Sequence, residues 1–395
     1  MKIEFSERAN RIKASEIREL LKLTVQPDII SFAGGLPAAE LFPLEKIAEV
    51  SKDVVLKEGK AALQYSPTEG LKKLREIIIS QRLNPINIKA NLDEIAITSG
   101  SQQALDFTGK MFINEGDTII VESPTYLGAL NAFLAYDPKY TEIPLEKDGM
   151  DMDKLEEVLE SGVRPKFIYT IPDYQNPSGI TMSKEKRKRL IDIANKYDLI
   201  VVEDSPYAEL CFDGEQLDPI KSLDTEGRVI YMGTYSKTFT PGLRIGWVVG
   251  NPAIINKFIQ VKQGADLQTS SLDQRIAAEY MSRYDLSEHI QMIIDVYSKR
   301  RNVMLDTMRE TFHKDITFTE STGGLFTWVT VREDIDTKEL MQEALKENIA
   351  FVPGASFFAS SGHDNYMRLN YSCMPEDKIR TGIERLAKVL NKYYE

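Results

Sequence analysis

Residues 228–247, RVIYMGTYSKTFTPGLRIGW, decide how this chain is read. Two apolar runs, RVIYMGTYS from Arg228 and RIGWVVG from Arg244, have the composition of buried strands. Lys237 falls just past the end of the first, and Arg244 stands seven residues later at the start of the second. In an open α/β sheet, ligands collect outside the carboxyl ends of the strands, so two cations placed there are worth following. Taken alone, a lysine at a strand end is equally a solvated surface residue. GTYSKT has a passing look of a P-loop, but Ser236 stands where glycine should precede the lysine, which sets a nucleotide reading aside.

Working outward, further candidate strands are IAIT at 95, TIIVES at 118, KFIYTIP at 166 and LIVVED at 199. Helical patterns lie among them: QQALDFTGKMF from Gln102, YLGALNAFLA from Tyr126 and the basic KEKRKRLIDIANKY from Lys184. That alternation predicts βαβ units and an α/β fold, with a large, doubly wound, mostly parallel sheet domain over residues 46–285. From 286 to 395 the pattern changes. A long helix to about His313 leads into GGLFTWVTV, a helix from Lys338, IAFVPG, YMRLNYS and a closing helix, which predicts a smaller α+β domain. The N-terminal segment, 1–45, holds a helical pattern from Ile12 to Leu23 and the turn-rich SFAGGLPAAELFP, and is expected to join the small domain.

At 395 residues the chain exceeds what one hydrophobic core usually organises, which agrees with two lobes. Forty-nine basic against 60 acidic residues leave a net charge of -11, which argues against nucleic acid or an anionic membrane as partner and favours small molecules. The first residues lack the apolar core of a secretory signal, and no stretch reaches the roughly 18 apolar residues of a membrane span, so a cytoplasmic protein is expected. Two cysteines, Cys211 and Cys373, and three scattered histidines support neither a disulfide framework nor a zinc site. Both cysteines read as small buried residues, Trp247 and Trp328 as core, and the run Lys184 to Arg189 as the solvated face of a helix.

Other strand ends carry polar residues. SGSQQAL would offer the amides of Gly100, Ser101 and Gln102 at a helix start, suited to a phosphate, although an ordinary serine-capped turn reads the same way. Asn176 lies in a proline turn, NPSG. Asp204, in EDSPY, is a carboxylate closing an otherwise apolar strand. An anion there must meet a cation, whether a protein side chain or a cationic ring nitrogen.

In order along the chain, SFAGGLP, QYSPTEG, SGSQQALD, NPSG, EDSPY, YSKTFTPGLRIGW and MRLNYS resemble the fold-type I aminotransferases that use pyridoxal 5'-phosphate (PLP), the aspartate aminotransferase superfamily. The likeness runs from about Ser31 to the C-terminus and is strongest to the branch of 2-aminoadipate and kynurenine aminotransferases. It implies the PLP-transferase fold and transfer of an amino group from an L-amino acid to a 2-oxo acid, 2-oxoglutarate above all, by a ping-pong mechanism. Aromatic, branched-chain, methionine and 2-aminoadipate donors all stay open. Lys237 would carry the cofactor as a Schiff base and shuttle the Cα proton. Asp204 would pair with the ring nitrogen, Asn176 and Tyr207 with the ring oxygen, and Tyr126 would stack on the ring face.

The same resemblance gives the cofactor phosphate the amides of Gly100, Ser101 and Gln102, the hydroxyls of Thr234 and Ser236, and Arg244. Tyr65 matches a tyrosine that completes this cup from the neighbouring subunit, which implies a homodimer with shared active sites. Arg368, with Asn176, would grip the substrate α-carboxylate, and Gly35 would let the backbone approach it. Arg18 reads either as the arginine that a mobile helix of that branch presents to a distal carboxylate or as a solvated helix arginine. Two rival readings remain: a PLP enzyme with another outcome, such as β-elimination, and a PLP-binding transcription regulator. The regulators carry a helix-turn-helix module ahead of the fold, whereas here the fold is expected to begin within the first few dozen residues.

Overall fold

Residues buried on both faces read as near-continuous apolar runs, and these runs form the central strands. The computed structural model describes residues 3–12 and 28–395. In chain order its strands are β1 (Ile30–Ser31), β2 (Ile95–Thr98), β3 (Thr118–Ser123), β4 (Lys139–Glu146), β5 (Gly149–Met150), β6 (Phe167–Thr170), β7 (Ile200–Asp204), β8 (Val229–Thr234), β9 (Gly246–Val249), β10 (Thr317–Phe318), β11 (Phe326–Thr330), β12 (Ile349–Ala350), β13 (Val352–Pro353) and β14 (Tyr366–Asn370). The large sheet runs β2-β9-β8-β7-β6-β3-β4-β5. Its centre, β4-β3-β6-β7-β8, is parallel throughout.

Strand β9 is antiparallel to both its neighbours, pairing Gly246 with Thr98 on one side and with Thr234 on the other. This reversal positions the site. The start of β9 lies at the same edge as the ends of β2 and β8, so Arg244, Gly100 and Ser236 converge there. The strand itself begins two residues later than the sequence pattern implied. Arg244 lies outside it with φ of 54°, a left-handed backbone that cannot continue a ladder.

Helices cover both faces. Ser101–Phe112, Leu127–Leu134 and Pro252–Gln263 pack on the side of Ile230, Met232 and Val248. The other side is covered by Leu44–Ala62, Lys72–Ile78 and Ser271–Arg283 near β8 and β9, and by Met152–Glu160 and Lys184–Tyr197 further along. The last helix corrects the reading of its basic run. Arg187 is only 1% exposed and makes a two-oxygen ion pair with Asp173, with Nη2 2.6 Å from Oδ1, while its remaining donors reach the carbonyls of Pro172, Met182 and Asp218.

The C-terminal lobe is a four-stranded antiparallel sheet, β10-β11-β14-β13, backed by the helices Leu286–Thr311 and Glu376–Asn391. Strand β1 pairs in parallel with β12, and Ile30, Phe32 and Ala33 share the core of this lobe with Met304, Leu340 and Leu369. Trp247 and Trp328 are buried, as read from the sequence. Cys211 and Cys373 are only partly buried, a departure from that reading. The N-terminal helical pattern from Ile12 lies almost wholly outside the described residues, and Ile12 itself is extended. Among the described residues no helix is long and apolar enough to cross a membrane, and no cluster of side chains could hold a metal ion.

Candidate active site

The convergence of β2, β8 and β9 builds an anion cup. The helix Ser101–Phe112 starts at Gly100, whose φ of 80° suits glycine, and no side chain caps that helix end. Its first amides therefore face the crevice. A Cβ at Gly100 would collide with the Arg244 guanidinium, so the missing side chain also makes room for that cation. Arg244 spans the cup, donating from Nη2 to the Ser99 carbonyl at 3.3 Å and from Nη1 toward Ser236 Oγ at 3.5 Å. The Ser101 hydroxyl is buried without a partner. Thr234 turns inward: its hydroxyl donates to the Ile245 carbonyl and accepts from the Ser236 amide, holding Ser236 in place.

Asp204 closes β7 across the crevice. It is 2% exposed; Oδ2 accepts from the Tyr169 hydroxyl at 2.9 Å, and Oδ1 is buried with no partner at all. Burial raises its pKa to about 6, with Tyr169 and Lys237 pulling the other way. A carboxylate held this dry with one oxygen unmatched is costly until a donor arrives.

Lys237 projects into the same crevice and donates to the Gly35 carbonyl at 2.7 Å. Burial lowers its pKa to about 8, Arg368 and Arg244 add to that, and Cys373 and Asp204 oppose it. A substantial share of the amine is therefore neutral near pH 8. Arg368 is 3% exposed, stacked between the rings of Phe326 and Phe357, with its donors on Asn176 Oδ1 and the Ala33 carbonyl, both at 2.8 Å. Its Nε has no partner, and burial lowers its pKa to about 10. Asn176 in turn donates to the Tyr207 hydroxyl at 3.2 Å. The Tyr126 phenol lies in the combined field of Asp204, Arg368 and Arg244, and burial raises its pKa.

One crevice thus gathers Lys237, Asp204, Tyr126, Asn176, Tyr207, Arg368, Gly35, Arg244, Ser236 and the turn at Gly100. Tyr65 is not among them: it is 78% exposed. Arg18 lies outside the described residues. Unmatched valences face into this space at both ends, an anionic oxygen on Asp204 and a cationic, amide-rich cup at Gly100 and Arg244. The set fits PLP, with its basic ring nitrogen, its aldehyde opposite an amine, and its phosphate.

Sequence reasoning missed Tyr169, which reads as an ordinary core residue of β6, and Cys373, whose thiol donates to the Leu36 carbonyl at 2.7 Å within the field of Lys237. It also missed Glu122, buried on β3. Glu122 accepts from Thr170, Ile171 and Gln175, and Gln175 bridges to the Pro124 carbonyl, tying the turn before Tyr126 to the turn that carries Asn176. No local signal separates these residues from packing residues.

Comparison with known proteins agrees with this chemistry. The profile of the family described as aminotransferase class I and II matches residues 27–386. Aromatic-amino-acid aminotransferase 1 of Thermococcus litoralis is 48% identical over 98% of this chain and 94% of its own length. The 2-aminoadipate transaminase of Thermus thermophilus is 41% identical over 98% and 96%. Among solved structures, the kynurenine aminotransferase of Pyrococcus horikoshii, in complex with PMP, superposes with a TM-score of 0.93 at 44% identity, covering 99% of this chain and 98% of that one.

Proposed function

This chain belongs to the class I and II aminotransferases, and from that premise we propose that it moves amino groups from aromatic amino acids or 2-aminoadipate to a 2-oxo acid, with 2-oxoglutarate as acceptor, in two alternating half-reactions. It is a PLP-dependent enzyme of the fold-type I architecture. The observation that carries the site assignment is the unpartnered, buried Oδ1 of Asp204, opposite an amine whose pKa is brought near neutrality.

Bound PLP supplies an electron sink for the pair released at the substrate Cα and a carrier for the amino group. Lys237 would hold the cofactor at its aldehyde carbon, and its amine would carry the proton that leaves the substrate Cα. Its lowered pKa lets the amine do both near neutral pH. Asp204 keeps the ring nitrogen protonated, its cost of burial being offset by that contact. Asn176 and Tyr207 would donate to the ring oxygen, and Tyr126 would lie against the ring.

The turn at Gly100, Ser101 and Gln102 would hold the phosphate together with Ser236 and Arg244. Thr234 acts there by holding Ser236. Arg368 offers its free Nε face to the substrate α-carboxylate, in a dry setting that strengthens a charge-assisted bond. Tyr65 serves the cup of a second copy, so the working unit is a homodimer. That reading gives an exposed aromatic beside the SPTEG turn a partner. Arg18 meets the distal carboxylate of acidic substrates, and the large domain spans 46–285 with the small domain at 286–395 joined by 1–45.

A donor and acceptor screen tests the function. Phenylalanine, tyrosine, kynurenine or 2-aminoadipate should convert the bound cofactor to its amine form, read by absorbance, and 2-oxoglutarate should reverse it. Ammonia and pyruvate released from an amino acid with no acceptor present would make it a lyase instead.

A further inference from the structure

Lys262, on the helix Pro252–Gln263, is fully buried, and nothing in the proposed chemistry uses it. Its Nζ donates to both carboxylate oxygens of Asp266, at 3.0 and 2.9 Å, and to Gln103 Oε1 at 2.7 Å. Burial lowers its pKa, and the Asp266 contact counters that. Gln103 donates from Nε2 to Asp266 Oδ2 at 2.7 Å. Gln103 and Asp266, both held by Lys262, then meet at one residue, Ser99.

Ser99 is the residue before Gly100, and each of its polar groups is taken. Its amide donates to Gln103 Oε1 at 3.0 Å. Its hydroxyl lies 3.3 Å from Asp266 Oδ2 and 3.2 Å from Thr269 Oγ1. Its carbonyl accepts from Arg244 Nη2. The turn that presents the first helix amides, and the guanidinium beside them, are thereby fixed from behind by an ion pair between the last turn of a different helix and the turn that follows it. A buried lysine costs several kcal/mol unless paired and hydrogen-bonded, so its retention at this point calls for a role.

We propose that Lys262, Asp266 and Gln103 are positioning residues for the phosphate end of the cofactor: an ionic brace that sets the Ser99–Gly100 turn and, through the Ser99 carbonyl, Arg244. This inference rests on the assignment of that cup to the PLP phosphate. The brace touches neither the cofactor nor the reacting carbon. Its effect is confined to the affinity contributed by the phosphate.

The test compares PLP with pyridoxal, which has the same ring and aldehyde but no phosphate. Dissociation constants of both are measured by absorbance titration on apoenzyme made from purified full-length holoenzyme, for wild type, Lys262→Met, Ser99→Ala and Arg244→Ala. Lys262→Met should weaken PLP about tenfold or more and leave pyridoxal within about twofold, the size of one charge-assisted contact. Ser99→Ala, which removes one hydroxyl and leaves the lysine pair in place, should give a smaller loss in the same direction.

A loss shared equally by PLP and pyridoxal would mean that Lys262 only supports the fold, and an unchanged pair would mean that it does nothing here. Either result overturns the brace. If Arg244→Ala also leaves the ratio of the two constants at its wild-type value, the cup assignment itself fails. If Arg244→Ala raises the ratio of the PLP constant to the pyridoxal constant while Lys262→Met and Ser99→Ala do not, the cup stands and the brace falls.

Discussion

Two buried aspartates lie at the carboxyl edge of the large sheet, and they are solved in opposite ways. Asp173, past the end of β6, is matched oxygen for nitrogen by Arg187, whose other donors all reach backbone carbonyls. Asp204, at the end of β7, has one oxygen on Tyr169 and the other on nothing. Both are nearly inaccessible. The first arrangement is closed and can only stabilise or destabilise the fold. The second is open, and an open valence in a dry place is a binding offer. What separates structure from function here is therefore the state of the partners rather than burial or charge.

The sharpest way to break that contrast is Asp204→Asn. Turnover should fall by about a thousandfold or more, because the proposed contact to the ring nitrogen loses its anion. Thermal unfolding of the apoprotein should not worsen, since an uncompensated buried charge has been removed. The closed pair should behave in reverse. Arg187→Met should lower unfolding free energy in urea by about 3–5 kcal/mol, leaving Asp173 buried and unpaired, with little change in kcat per folded active site.

Arg368 falls between the two cases, with two donor groups engaged and one free. Arg368→Lys should raise KM for the amino acid by about ten- to a hundredfold, as a fork becomes a point charge, while kcat changes less. The smallest effect is a displacement along the pH axis. Because burial lowers the Lys237 pKa to about 8, the neutral amine accumulates as pH rises through 8. Capture of PLP by the apoenzyme should then accelerate toward a plateau just above that pH. A midpoint close to 10 would show the amine to be an ordinary exposed one.

The central strands were legible because each is apolar on both faces, and Lys237, Asp204 and the cup emerged as residues at strand ends. Strand β4, KYTEIPLE, was not, since only Ile143 within it is fully buried and its charges look like loop. The helices Leu44–Ala62, Pro252–Gln263 and Ser271–Arg283 went unread for a similar reason: only narrow apolar stripes mark them. Arg187 sits in a run of basic residues, and periodicity alone did not show that one of them turns inward. Lys262 and Asp266 share the i,i+4 spacing of Lys57 and Asp53, in the opposite order, and the spacing does not show that the Lys262 side chain is buried where that of Lys57 is 68% exposed. Tertiary packing makes that difference. Tyr65 was read from its motif, and its exposure leaves its role to a test on the assembled enzyme.

The left-handed backbone of Arg244 has a consequence for how this position can vary. A non-glycine residue held there costs on the order of 1 kcal/mol, and glycine would adopt the same conformation freely. Glycine would also delete the guanidinium. Drift toward an easier backbone is thus drift toward a weaker grip on an anion, and a lineage that stopped using the ligand would be expected to lose this arginine early, gaining a little stability as it did so.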